Sequence, residues 1–560
     1  MPSVLTEFDV IVIGGGVNGL TTAAYLAKSG LKTVVIERRD QLGTHHVTEE
    51  WSIPGFRTSP HANSQWVGNT PCMLDLDLEK YGLDLYPARY TRAMTFKDGK
   101  AMVPDAWDAQ GFYNAYKILS EKDARTFLNM FTGLAGSPLM QDFLFAAPSP
   151  ERFDWVLKEM TKVPGMPEDW WDMTGFEMAD YLFEDEHVKT WITGMCNGVG
   201  FLPNQKFTGP LGVITLATSF SPNQQAIGGA HQIPHALFRC IVNNGGKVLQ
   251  SSEVEKIIIE NGEAKGVKLG KLAAYPEKTI MARKAIVSNL SPGPTFVDLV
   301  GEQHLDKQVY RQIKYQFDYD WGILMTASFM TTEQPKWKGS QGNPNMQNAW
   351  MFMCGCESVR EIEQVHADLS AGRIPDQISA NGGNFVLSMN DKTSVPAGYH
   401  NVQFWPEVPY SLRKIGGPEK WDDIIDDMVE RTADMGEAYA PGFRKSIKYK
   451  VGISPLDTYR KNASALKGVW NGGVSKSGQM YFDRPFLGCN APRTPIKKLY
   501  ISNGMWPWGM SWLASGYIAA TEIIRDLGMK KPDWWSHKCF EWFPIWAQRN
   551  GVARSGKIVP

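Results

Sequence analysis

Phe8-Asp9-Val10-Ile11-Val12-Ile13-Gly14-Gly15-Gly16-Val17-Asn18-Gly19 is the stretch that decides the fold. Phe8 to Ile13 is a short, mostly apolar run that reads as a buried strand. After the glycines comes an apolar-periodic stretch from Val17 to Ala27, then Thr33-Val34-Val35-Ile36 closing on Glu37. Strand, glycine turn, helix and strand make the opening βαβ unit of a dinucleotide-binding domain. Gly14, Gly16 and Gly19 fit the pattern G-x-G-x-x-G. Gly14 serves the tight turn, Gly16 lets backbone approach a pyrophosphate, and Gly19 lets helix pack closely on strand. The pyrophosphate sits at the helix N-terminus, beside Val17 and Asn18, where free N–H groups and the dipole favour an anion. Glu37 stands at the spacing where an acid binds ribose hydroxyls, and it would repel the 2′-phosphate of NADP. The glycine pattern alone is weak; the strand before it, the helix after it and the acid make it specific.

Working outward, three distal pieces point to FAD rather than NAD. Leu42-Gly43, after Glu37-Arg38-Arg39-Asp40, resembles the glycine segment that passes the FAD phosphates in large flavoproteins. A strand pair around Ser252 to Ile257 offers a second nucleotide contact, and Leu499 to Gly509 reads as strand, glycine and helix start closing over a flavin. The expected fold class is α/β: a discontinuous Rossmann-like FAD-binding domain (1–70, 225–300 and 485–530) with a mixed-sheet plus helical substrate domain (71–224 and 301–484) and an aromatic tail (531–560). Within it, a mostly helical stretch from about 105 to 220, broken by Pro-rich turns, reads as an inserted cap.

The whole chain, at 560 residues, is too long for one simple core. Its 43% hydrophobic and 21% charged residues are an ordinary globular balance. A net charge of -1 provides no basic surface, so no nucleic-acid partner is expected. The seven cysteines are odd in number and scattered, which argues against a disulfide framework and for a reducing compartment. Cys354-Gly355-Cys356 lacks the second pair a zinc site needs, so buried thiols are expected and no metal is assigned. No signal peptide is read, and no apolar run reaches the ~18 residues of a spanning helix. A cytoplasmic protein is expected. Trp534-Trp535, Phe540, Trp542-Phe543 and Trp546 read as core packing or a contact in a homo-oligomer. Peripheral docking on a membrane beside Lys531 and Lys538 is the alternative.

Several blocks, in order along nearly the whole chain, resemble the phytoene-desaturase-type flavoproteins of the broader amine-oxidase-like superfamily. They are Thr48-Glu49-Glu50 through Pro54-Gly55-Phe56, Ile227 to Pro234, Val287-Ser288-Asn289, Tyr439-Ala440-Pro441-Gly442-Phe443 and Arg493 to Tyr500. The nearest look is to the branch with the animal pyridine-nucleotide-disulphide-oxidoreductase-domain proteins. The resemblance implies an FAD-dependent dehydrogenase or oxidase. By position it implies that Gly14, Gly16, Gly19, Glu37, Arg38 and Gly43 line the AMP and pyrophosphate. Val254 would meet adenine through its backbone, and Gly504, Gly509 and Met510 would sit by the flavin ring. The chain departs from that pattern at Gly43-Thr44-His45-His46-Val47 and at Trp506-Pro507-Trp508-Gly509-Met510-Ser511-Trp512. Bulky groups at the flavin face imply a differently shaped pocket and put a long polyene substrate in doubt.

His45 and His46 are the sharpest chemical clue, since Gly-Thr-His-His also resembles a stretch near the flavin of sarcosine-oxidase-like amine oxidases. An imidazole there can hydrogen-bond phosphate or backbone, tune the ring or act as a base, or bond covalently to the flavin. His61 is a further candidate, against the plainer reading of a polar loop residue; His231 and His400 are weaker. Trp506, Trp508 and Trp512 read as an aromatic wall or as core filler. The expected reaction is oxidation or desaturation of an apolar or aromatic small molecule, with electrons passing to oxygen, a quinone or another carrier. Amine oxidation, and isomerisation with no net redox change, are the alternatives.

Overall fold

The computed structural model describes residues 6–51, 53–134, 145–198, 202–209, 221–320, 323–480, 483–489, 491–503, 513–554 and 558. Gly504, Trp506, Trp508, Gly509, Met510 and Trp512 lie outside the described residues.

The first sheet has seven strands. They are β1 (Glu7–Ile13), β2 (Thr33–Ile36), β3 (Lys247–Leu249), β4 (Val254–Glu260), β5 (Glu263–Leu269), β6 (Thr279–Ser288) and β7 (Leu499–Ile501). β1 is central, with Val12 opposite Val35 of β2 on one side and Val287 of β6 on the other, both pairings parallel. β3 extends the parallel set beyond β2. On its edge away from β1, β6 is long enough to serve two neighbours: its first residues pair antiparallel with β5, and its last residues pair parallel with β7. A central parallel strand is covered on both faces, which is why Val10, Ile11 and Val12 form an unbroken buried run.

Three helices cover this sheet's core: α1 (Val17–Lys28), α2 (Gln232–Asn243) and α3 (Ala514–Asp526). α1 packs against both α2 and α3. The α1–α3 crossing is close because Gly516 has no side chain; a Cβ there would stand 2.3 Å from the Asn18 carbonyl oxygen. The Asn18 amide oxygen accepts the Gly516 N–H at 3.2 Å, and Thr22 Oγ1 donates to the Gly516 carbonyl at 3.1 Å.

A second sheet, also of seven strands, runs Ile447–Ile453, Thr326–Thr331, His400–Phe404, Ala380–Val386, Met351–Cys354, Ala93–Thr95 and Ala101–Met102. Its neighbours pair antiparallel except Met351–Cys354 with Ala93–Thr95. Buried amides knit it to the segment that arrives from the first sheet. Gln403 Nε2 donates to Thr58 Oγ1, the Ser59 carbonyl and Ser328 Oγ at 3.1, 3.0 and 3.1 Å, and its Oε1 accepts from Asn63.

The aromatic tail turns inward. Trp535 and Trp542 are buried, Trp535 packs on Tyr25 of α1 with ring centroids 4.3 Å apart, and Trp542 Nε1 donates to Glu79 at 2.8 Å. Fully buried Asp75 accepts the Tyr25 hydroxyl at 2.8 Å and the backbone N–H groups of Ser536 and His537 at 3.1 Å each. The tail's rings thus complete the core over α1. Among the described residues no helix is long and apolar enough to cross a membrane. Cys354 and Cys356 are buried free thiols, and the described residues contain no cluster of side chains able to hold a metal.

Candidate active site

The chain leaves each parallel strand at the same edge of the first sheet, and a cavity of about 620 Å³ opens there. It is lined by Gly14 after β1, Glu37 after β2, Asn289 after β6 and Asn503 after β7. This is where open α/β sheets bind ligands. Gly14 takes a positive φ of 94°, and its N–H donates to the Ile36 carbonyl at 2.8 Å, turning the chain out of β1. Gly16 precedes α1, and no side chain caps the helix. A Cβ on Gly16 would come within 2.6 Å of Asn289 Nδ2 and 3.1 Å of Thr44 Oγ1, so glycine keeps the approach to the helix N-terminus clear. Gly43, also at positive φ (108°), lies across from Gly16, and its N–H donates to the Gly15 carbonyl at 2.8 Å. Thr44 shares the left-handed conformation with φ of 57°. The Glu37 carboxylate accepts the Gly15 and Arg39 N–H groups at 2.7 and 2.8 Å, which fixes it at the cavity wall. Arg38 and Val254 line the same end.

These residues fit FAD. The uncapped helix end, the backbone approach kept open at Gly16 and Gly43, and the anchored acid at Glu37 supply what a pyrophosphate and an adenosine ribose require. Two residues of the motif are engaged on the protein side, Gly19 in the packing role read for it. Gly19 sits behind the turn, where a Cβ would be 2.5 Å from the Gly14 carbonyl oxygen, so it sets helix–strand packing. Asn18 lines the cavity, but its side-chain oxygen is committed to α3.

At its far end the cavity meets a second one, of about 90 Å³, on the side of the second sheet. His45, His46 and Trp470 line both, and so form the wall between them. The His46 N–H donates to the Gly43 carbonyl at 2.9 Å, so the same turn that passes the phosphates plants the imidazoles. His61 enters the second cavity from the segment pinned by Gln403. Its ring stands edge-on to His45 with centroids 4.8 Å apart, and its Nε2 lies 3.2 Å from Thr458 Oγ1. Burial, reinforced by the neighbouring His46 and Lys461, pushes the His45 imidazole down to about 3. Burial pushes His46 down to about 4, against a hydrogen bond with Gln65 that acts the other way. His61 is held well below its ordinary value, chiefly by burial and then by His45. All three imidazoles are therefore neutral at physiological pH.

Trp470 was not among the residues expected from sequence. The signal available was an aromatic followed by Asn471-Gly472-Gly473, with both glycines at positive φ (78° and 136°), a turn that presents the ring. Asn289 was visible only as part of a resemblance block. Trp405 and Arg92, which line the second cavity, carried no local pattern. Burial lowers the Arg92 guanidinium to about 10, so it stays cationic at neutral pH. His231 and His400 line neither cavity.

Comparison with known proteins agrees with this geometry. Residues 9–128 match the family model described as FAD dependent oxidoreductase. The chain is 24% identical to a limonene dehydrogenase component from Castellaniella defragrans, over 95% of this chain and 97% of that one. It is 26% identical to the mouse (Mus musculus) pyridine nucleotide-disulfide oxidoreductase domain-containing protein 2, over 93% of this chain and 94% of that one. Among solved structures, a putrescine oxidase variant shares the fold with a TM-score of 0.56 at 13% identity, covering 94% of this chain and 99% of that one.

Proposed function

We propose that this chain, which matches the FAD dependent oxidoreductase family over residues 9–128, oxidises a small apolar molecule held in the second cavity, which adjoins the cofactor cavity at His45, His46 and Trp470. The observation that carries the reading is that wall: the same three side chains face the nucleotide cavity and the smaller one. FAD, when bound, would supply the two-electron acceptor of the reaction, with oxygen, a quinone or another carrier as the terminal oxidant. The protein supplies a dry chamber. Met195, Leu324, Met351 and Met353 give the second cavity its apolar lining, which holds a substrate and excludes water. The neutral imidazoles add no charge to that chamber, and each keeps a nitrogen lone pair able to accept a hydrogen bond. That one relative is named for limonene dehydrogenase is in keeping with an apolar substrate. Amine oxidation is the weaker reading, because the described lining of the second cavity contains no Asp or Glu to pair with an ammonium group and does contain Arg92.

The flavin is held without a covalent bond, through the backbone cradle at Gly14, Gly16 and Gly43. The absorption spectrum before and after acid precipitation tests both statements. Yellow protein that releases its colour to the supernatant is the expected result. Colour kept in the pellet would overturn the non-covalent reading and make His45 and His46 the first substitutions. A colourless protein that FAD cannot reconstitute would sink the function itself.

A further inference from the structure

His61 lines the second cavity, but its Nε2 meets a residue that lines neither cavity. That residue is Thr458, buried in the helix Pro455–Lys461. The helix is tied at both ends. A reciprocal capping box of Ser454 and Asp457 closes its N-terminus. At its last residue Lys461 pairs with Glu49, which also meets Arg39 at 3.7 Å. Thr458 Oγ1 has two neighbours at hydrogen-bond distance, the Ser454 carbonyl oxygen and His61 Nε2, each at 3.2 Å.

We infer that Thr458 is a positioning residue that holds His61 as the Nε2–H tautomer, so that any hydrogen bond this imidazole makes in the second cavity is accepted at Nδ1. The inference rests on the proposed function for the chamber's role and adds the sense of the hydrogen bond that His61 offers there. A threonine hydroxyl carries one proton and a carbonyl oxygen carries none. The contact with Ser454 therefore takes the hydroxyl proton, the common bond of a helical threonine to the carbonyl one turn back. Toward His61 the same oxygen is then an acceptor, and Nε2 carries the ring's N–H. The opposite tautomer would draw the hydroxyl proton to Nε2 and leave two oxygens 3.2 Å apart with no hydrogen between them. A neutral imidazole has one N–H, so Nδ1 keeps its lone pair. His45, edge-on with centroids 4.8 Å away, bounds the same ring and limits its rotation.

The test is nitrogen NMR of the flavin-loaded protein with isotope-labelled histidine, His61 being identified by the signals missing from His61→Gln. In the wild type at neutral pH, Nε2 is expected to carry the proton and Nδ1 none, in a single set of signals. Thr458→Val keeps the shape and removes the hydroxyl; both nitrogens are expected to shift toward the average of the two tautomers. Thr458→Ser is expected to restore the wild-type signals. A proton on Nδ1 in the wild type overturns the inference, and that measurement stands even where a variant fails to fold. Unchanged signals in Thr458→Val, or a serine variant that behaves like the valine one, overturn it as well. A yellow protein with Nδ1 protonated leaves the FAD-dependent function standing, whereas a protein that cannot take up flavin fails the function first, whichever tautomer it shows.

Discussion

The two cavities are built differently. The larger is organised by the path of the backbone: the turns at Gly14–Gly16 and Gly43, the free end of α1 and the loops leaving four parallel strands. The smaller is made of side chains from segments far apart in the chain, among them His61, Arg92, Asn223, Met351, Trp405 and Trp470. The first therefore accepts one invariant shape, a dinucleotide, and tolerates few changes of the residues that give backbone its path. The second is a set of independent choices laid over a sheet that has its own apolar core, with Gln403 pinning the segment that carries His61 to it. A fold of this kind keeps its cofactor while its substrate changes, because the two sets of determinants overlap only at the dividing wall.

The largest effect that would break this contrast is expected at Gly16. In Gly16→Val the added carbons meet Asn289 and Thr44 where the phosphates must approach. FAD affinity should fall by about a hundredfold, some ~3 kcal/mol, while the second sheet stays folded. Fluorescence titration of FAD measures it; a variant that keeps its flavin would mean that side chains, not backbone, hold the cofactor.

A comparable loss, of a different kind, is expected at Gln403, which is fully buried with every polar atom engaged. Gln403→Leu strands the donors and acceptors of Thr58, Ser59, Asn63 and Ser328 and should cost about 2–3 kcal/mol in a urea melt. Affinity for FAD should be nearly unchanged, since Gln403 serves the segment that carries His61. Loss of the flavin with intact stability would show that the two regions are not separable.

The smallest effect sharpens what happens at the wall. His45 and His46 titrate at about 3 and 4 when folded and at about 6.5 when unfolded. Between those values the unfolded chain binds more protons, so stability rises with pH there. Their contribution is complete above the unfolded value and is lost as pH falls below it. From about pH 7.5 to about pH 6 the pair should cost about 1.5 kcal/mol, seen as a falling urea midpoint. The double variant His45→Gln, His46→Gln should flatten that dependence; an unchanged slope would place both rings in contact with water.

How legible each region was follows from the same difference. β1, the glycine turn, α1, β2 and Glu37 could all be read because their determinants lie within about thirty consecutive residues and obey fixed periods. The distal strands of the first sheet were also visible, as short β-branched runs around Val254 and Leu499. Asn18 shows a limit even there: the motif names the residue, but its side-chain oxygen is engaged by α3, some five hundred residues away. His45 and His46 stood out by departing from a pattern. Trp470, Trp405 and Arg92 did not, because an aromatic in a mixed-strand region and a buried arginine have no local signature, and only tertiary packing brings them to one chamber. The tail aromatics suggested packing, a contact between copies of the chain or a membrane surface; Tyr25, Asp75 and Glu79 show what they pack on, and none is adjacent in sequence.

The hydrogen bond between Thr22 and Gly516 spans 494 positions of chain. During synthesis the dinucleotide turn leaves the ribosome long before β7, α3 and the ring-bearing tail that complete its core. At roughly 5–20 residues per second, about 25 to 100 seconds pass before the face of α1 that meets α3 is covered. The face of α1 that meets α3 is thus completed only after some five hundred further residues have been made.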